Sequence, residues 1–257
     1  MAGNSRYAFE PSQYEVAPET FVAYEERLVE TNSDDLVGNL YNLQLIFLCD
    51  ISGSMAEDDQ DPEGKSTHGM LGARWTRYDN MVKLLKTMVG DLFAFDKDGS
   101  IPCYFFNNKV HAMTFTDPET LVAQARTYRP GGSTNLAAAL KKAAKDNLDS
   151  KQNFLFIIFT DGVPDSTADV EEFIKKKIHK KDPKGDRINL LFIRFGDDRG
   201  AMQFLEDMDD HPVFGDNVDT KSDNAAYFLG PKLLVLNGMY EHLEKMPKYA
   251  AELAKRP

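Results

Sequence analysis

Short apolar runs along this chain trade places with segments whose apolar positions recur every three to four residues. Leu43, Leu45, Ile46, Phe47, Leu48 and Cys49 form an apolar stretch that stops at Asp50, the pattern of a buried strand. Phe154 to Phe159 and Ile188 to Phe195 read the same way, and Ile101 to Asn107 is a further strand. Asn107 and Asn108 then turn the chain into Val110 to Phe115, which predicts a hairpin and an antiparallel edge strand. Arg77 to Phe95 places Met81, Leu84, Leu85, Met88 and Leu92 on one helical face. Further helices are predicted from Asp117 and Pro118 to Thr127, over Asn135 to Leu148, over Thr167 to His179 and over Ala201 to Met208. A last strand spans Asn217 to Thr220, and the chain is helical from Asn224 onward with a break at Pro231. Strands alternating with helices predict a Rossmann-like α/β fold in three layers, its mostly parallel sheet covered on both faces.

The polar residues that interrupt this pattern fall at strand and helix boundaries. Asp50, Ser52 and Ser54 follow the first strand as Asp-Ile-Ser-Gly-Ser. Gly131, Gly132, Ser133, Thr134 and Asn135 precede an Ala/Leu-rich helix, and Thr160, Asp161 and Gly162 follow the strand that ends at Phe159. The carboxyl edge of such a sheet is where open α/β folds bind ligands.

Together these segments resemble the metal-ion-dependent adhesion site (MIDAS) of von Willebrand factor A domains, with all five motif positions filled over roughly residues 40 to 240. Phe192 to Asp198, Phe204 to Asp210 and Asp216 to Asp219 are similar to the carboxyl half of intracellular proteins of that superfamily, of the tellurite-resistance and fungal cytosolic type. The resemblance implies the von Willebrand A fold. It also implies a divalent cation held directly by Ser52, Ser54 and Thr134, with Asp50 and Asp161 acting largely through water. Oxygen donors without Cys or His select a hard cation, here Mg²⁺, with Mn²⁺ or Ca²⁺ as substitutes. A cation so short of negative ligands favours a carboxylate from outside, so the expected partner is a protein presenting Asp or Glu. Asp50→Ala or Asp161→Ala is expected to abolish metal binding with little loss of fold.

The insertion from Ala56 to Ala73 is acidic and glycine-rich. Its Glu57 and Asp58 stand where integrin-like relatives place carboxylates for an adjacent second ion; the alternative is a solvated loop that shapes partner access. Asp59, Asp61, Glu63 and Gly64 imitate the start of an EF-hand loop, but Met70 replaces the closing Glu and Pro62 lies inside.

Composition narrows the function. The 257 residues carry a net charge of −11, which argues against nucleic-acid binding as the main task. No apolar stretch reaches the ~20 residues of a membrane span, and Met1 to Glu10 lacks the order of a signal peptide. The two cysteines, Cys49 and Cys103, read as buried thiols, and a cytoplasmic location is expected. Residues 1–39 form an aromatic and acidic extension, 40–240 the domain, and 241–257 a tail or helix. A basic run, Lys175, Lys176, Lys177, Lys180, Lys181, Lys184 and Arg187, reads as the solvated end of a helix or as a dock for an acidic partner.

The expected function is a noncatalytic, metal-dependent protein-binding module. One alternative is a subunit or regulator of an AAA+ ATPase or stress-resistance complex. The other is a Mg²⁺-dependent hydrolase or phosphatase, disfavoured because Ser52 fills the second position of the Asp-x-Asp nucleophile motif and no phosphate-binding glycine loop is present. Oligomeric state leaves no mark in the sequence.

Overall fold

The computed structural model describes residues 43–58, 75–148 and 152–240. Six strands, β1 (Leu43–Asp50), β2 (Ile101–Phe106), β3 (Val110–Phe115), β4 (Asn153–Thr160), β5 (Ile188–Arg194) and β6 (Val218–Ser222), form one sheet. Their order is β3-β2-β1-β4-β5-β6. All neighbours run parallel except β2 and β3, which pair from Ile101 with Phe115 to Phe106 with Val110. The sheet therefore grows in opposite directions from β1 and β4, and the gap between their carboxyl ends is the topological switch point.

Every residue of β1 and β4 is buried, as expected of central strands covered on both faces. Alternate side chains divide between two cores. Leu43, Leu45, Phe47 and Cys49 face one apolar cluster with α1 (Arg77–Phe95), α2 (Pro118–Ala125) and α6 (Asp223–Tyr240). Ile46 and Leu48 face the other, with α3 (Leu136–Asn147), α4 (Thr167–Phe173) and α5 (Arg199–Asp209). The predicted face of α1 is the one that packs: Met81, Leu84, Leu85, Met88 and Leu92 are all buried. Cys49 and Cys103 are fully buried free thiols with their sulfurs 3.8 Å apart.

Polar side chains start the helices where the chain must turn from sheet to cover. Thr76 and Asp79 form a reciprocal capping box at α1, Asp117 caps α2 ahead of Pro118, Asn135 caps α3 and Ser166 caps α4. Two elements differ from the sequence expectation. The predicted helix over 167–179 is α-helical only to Phe173 and continues as a π-helical stretch, Ile174–His179. The break in α6 lies at Gly230, with φ 71° and ψ 172°, one residue before Pro231. Residues 1–39, most of the acidic insertion and the tail from 241 lie outside the described residues.

Candidate metal centre

β1 and β4 deliver their terminal carboxylates side by side at the switch point. Asp50 is fully buried, its Oδ1 accepting from the Ser52 backbone N–H at 2.7 Å and its Oδ2 from Thr160 Oγ1 at 2.7 Å. Ser52 Oγ lies 3.1 Å from Ser54 Oγ, and Ser54 Oγ donates to Asp161 Oδ1 at 2.8 Å. Thus Asp50, Ser52, Ser54 and Asp161 form one continuous set of oxygens. Asp161 is fully buried, while Gly53 and Ser133 of the surrounding loops are exposed.

The third loop is tied to the first through backbone. The Gly53 N–H donates to the Gly132 carbonyl at 3.0 Å, and the Gly131 N–H donates to the Ile51 carbonyl at 2.9 Å. Asn107 Nδ2 donates to the Gly131 carbonyl at 2.7 Å, fixing the same turn to the end of β2. Thr134 is buried and held by Asp165, which accepts from the Thr134 N–H at 2.9 Å and from Ser133 Oγ at 2.7 Å. All five predicted positions thus lie on three loops at one sheet edge.

Arg77 completes the centre and escapes a motif-based reading. Its guanidinium is buried, with one nitrogen 2.8 Å from Asp161 Oδ2 and the other 2.8 Å from Glu57 Oε2. Its N–H also donates to the Glu57 carbonyl at 3.0 Å. Glu57, considered above for a second ion, is here the partner of Arg77. The only local signal of Arg77 in the sequence is a cation in the first turn of α1, where the helix dipole opposes it. Asp165 carries no sequence signal of its own either, because it stands as an ordinary acid ahead of the Ser166 cap.

Electrostatics leave the centre short of positive charge. Burial pushes the Asp50 carboxyl up to about 7, against hydrogen bonds from Ser52 and Thr160 and with help from the neighbouring Asp161. Burial also raises Asp161, opposed by Arg77 and Ser54. The Arg77 guanidinium faces Asp161 and Glu57, and no cation of the described residues is among the groups that act on Asp50. Among the described residues no group of three or more His, Cys, Asp or Glu is placed to hold a metal. Hard oxygens only, with Ser52, Ser54 and Asp161 within hydrogen-bond distance of one another beside the buried Asp50, fit a hard divalent cation. Because both carboxylates are fully buried and bonded, alanine at either position empties a packed polar site, and little loss of fold is no longer expected.

No protein-family model matches the chain, and no curated protein matches it in sequence. The chain matches several solved structures at low sequence identity. An aerotolerance-related membrane protein from Bacteroides fragilis is 12% identical with a TM-score of 0.48, over 76% of this chain and 99% of that one. The manganese-loaded TRAP protein of Plasmodium vivax is 18% identical with a TM-score of 0.47, over 76% of this chain and 74% of that one. The vWF domain of the pilus tip protein Mfa5 from Porphyromonas gingivalis is 18% identical with a TM-score of 0.35, over 48% of this chain and 38% of that one.

Proposed function

We propose that the chain is a noncatalytic protein-binding module that captures an Asp or Glu of a partner through a divalent cation, Mg²⁺ by preference, at the loops ending β1 and β4 and preceding α3. The observation that carries this reading is the oxygen set running from Ser52 through Ser54 to Asp161 beside the buried Asp50. Ser52, Ser54 and Thr134 would hold the ion, with Asp50 and Asp161 behind them. When bound, the cation supplies a Lewis-acidic position for an incoming carboxylate. Asp50 orients Ser52 and Thr160, Arg77 fixes Asp161, and Asp165 fixes Thr134, so the loops are held before the partner arrives.

Acyl or phosphoryl chemistry would need a poised base, and the described histidines are engaged elsewhere: His111 packs on Tyr128, His179 faces Asn217 and His211 stacks on Phe214. No helix of the described residues is long and apolar enough to cross a membrane.

Calorimetric titration of Mg²⁺ and Mn²⁺ into metal-stripped protein tests the reading, wild type beside Thr134→Ala, with and without a Glu-containing peptide. Saturable binding that weakens at least tenfold in the variant and tightens with the peptide is the expected result. Absence of binding to the wild type, or a peptide without effect on affinity, would overturn it.

A further inference from the structure

The lysine run that the metal centre does not use is not simply a solvated helix end. α3 and the helix formed by α4 with its π-helical extension lie side by side and leave a groove of about 470 Å³ between them. Ala144, Leu148 and Phe173 give the groove an apolar lining. Five lysines surround it: Lys141 and Lys145 from α3, Lys176 and Lys177 from the facing helix, and Lys181 from the turn that follows it. Against them stand Asp169 and Glu172.

The π turn contributes to this arrangement. Bonding from i to i+5 widens the helix, and Lys176 and Lys177 of this stretch border the groove while Ile174 and Ile178 stay buried. Glu172 is already engaged by Lys176, and Lys141 reaches its field from across the groove, holding its carboxyl below the usual range. Lys177 and Lys181 are exposed and form no ion pair among the described residues. Like charges crowded around one depression repel, and an incoming anion relieves that repulsion. This excess of positive charge sits on a chain whose net charge is −11.

We propose that this groove is a second docking site, independent of the metal, for an acidic peptide segment that carries a large apolar side chain. The concave floor receives the apolar side chain and the lysines receive flanking carboxylates. A nucleic acid fits less well, because Phe173 is too buried to stack on bases. A membrane surface calls for apolar side chains that protrude, whereas these line a depression.

The test is selection of a display library of random 12-residue peptides on the full chain in EDTA, which silences the metal centre. Fluorescence anisotropy of the enriched peptides on wild type and on the variant Lys145→Glu, Lys177→Glu, Lys181→Glu follows. Enrichment of Asp/Glu around Phe, Leu or Trp, with at least tenfold weaker binding to the variant at an unchanged unfolding midpoint, is the expected result. The corresponding glutamine variant, expected to lose several-fold, replaces the glutamate variant if that one fails to fold. Peptides without acidic bias, equal affinity for the variants, or tighter binding of an oligo-dT strand or phosphatidylserine vesicles than of any peptide would overturn the proposal. Because EDTA is present throughout, failure here leaves the metal-dependent reading untouched.

Discussion

Arg77 carries its charge at the start of a helix, where the macrodipole disfavours a cation, so its placement has another cause. It bridges Asp161 and Glu57, and without it Asp161 is left as a fully buried carboxylate whose remaining side-chain partner among the described residues is the Ser54 hydroxyl. Breaking a buried ion pair by removing one member costs about 3–5 kcal/mol. Arg77→Met is therefore expected to lower the unfolding free energy by about 3 kcal/mol in urea titrations of the metal-free protein, and an unchanged midpoint would show that Asp161 does not depend on it. The same contact constrains Gly196, whose φ is +74° and where a Cβ would lie 2.5 Å from Arg77 Nε. Asp50, Ser52, Ser54, Thr134 and Asp161 are legible in the sequence because each lies next to the end of an apolar run or the start of a helix pattern. Arg77 is not, because its partner Asp161 stands 84 residues away and nothing local announces the pairing. Asp165 hides for the opposite reason, being one more acid beside a helix cap, a place where acids are common.

Elements were readable in proportion to their periodicity. β1 and β4 are near-continuous apolar runs, and α1 keeps its apolar residues on one face. The π turn was not readable, since Ile174 and Ile178 have the spacing an ordinary helix also buries. Pro231 announces a break in α6, but the residue that bends is Gly230, in a backbone region essentially reserved for glycine. No atom lies within 4 Å of where its Cβ would be, so substitution tests conformation without packing. Gly230→Ala is expected to cost about 1–3 kcal/mol by chemical denaturation, and a neutral result would mean that α6 straightens at no cost. The start of α6 carries a pH dependence as well. Asp223 is buried against α1, receives a hydrogen bond from Asn80 and feels the charge of Arg194, yet burial raises its carboxyl to about 6 from the usual 3.8. Between those values the folded protein holds a proton that the unfolded chain releases, so this group's contribution to stability falls as pH rises from 4 to 6. Over that interval the loss attributable to Asp223 is on the order of 2 kcal/mol. Urea midpoints of wild type and Asp223→Asn at both pH values should show a steeper decline in the wild type, and parallel behaviour would place the titration elsewhere.

At the scale of the molecule, layer architecture and the antiparallel edge follow from the hydrophobic pattern, whereas strand order does not, because pairing β1 with β4 joins segments about a hundred residues apart and no local signal specifies it. Yet that pairing makes the centre: it sets Asp50 beside Thr160 and Asp161, and the whole sheet is thereby organised around two carboxylates that burial disfavours. A fold that buries Asp50 at a cost has a stability coupled to whatever neutralises it. A cation that binds the folded chain alone adds about 2.7 kcal/mol at a hundred times its dissociation constant. In a domain of this size that amounts to roughly 5–10 °C in Tm. Asp50→Asn separates the two contributions. The amide keeps the shape of the side chain and removes the buried charge, so the metal-free variant is expected to be at least as stable as the metal-free wild type. The cation loses a carboxylate behind Ser52, so saturating Mg²⁺ should no longer raise Tm. Scanning calorimetry of both proteins with and without Mg²⁺ reads the two effects in opposite directions: a variant that is stabler when stripped and indifferent to Mg²⁺ ties the cation to Asp50, and a shift that persists in the variant puts the cation somewhere else on the molecule.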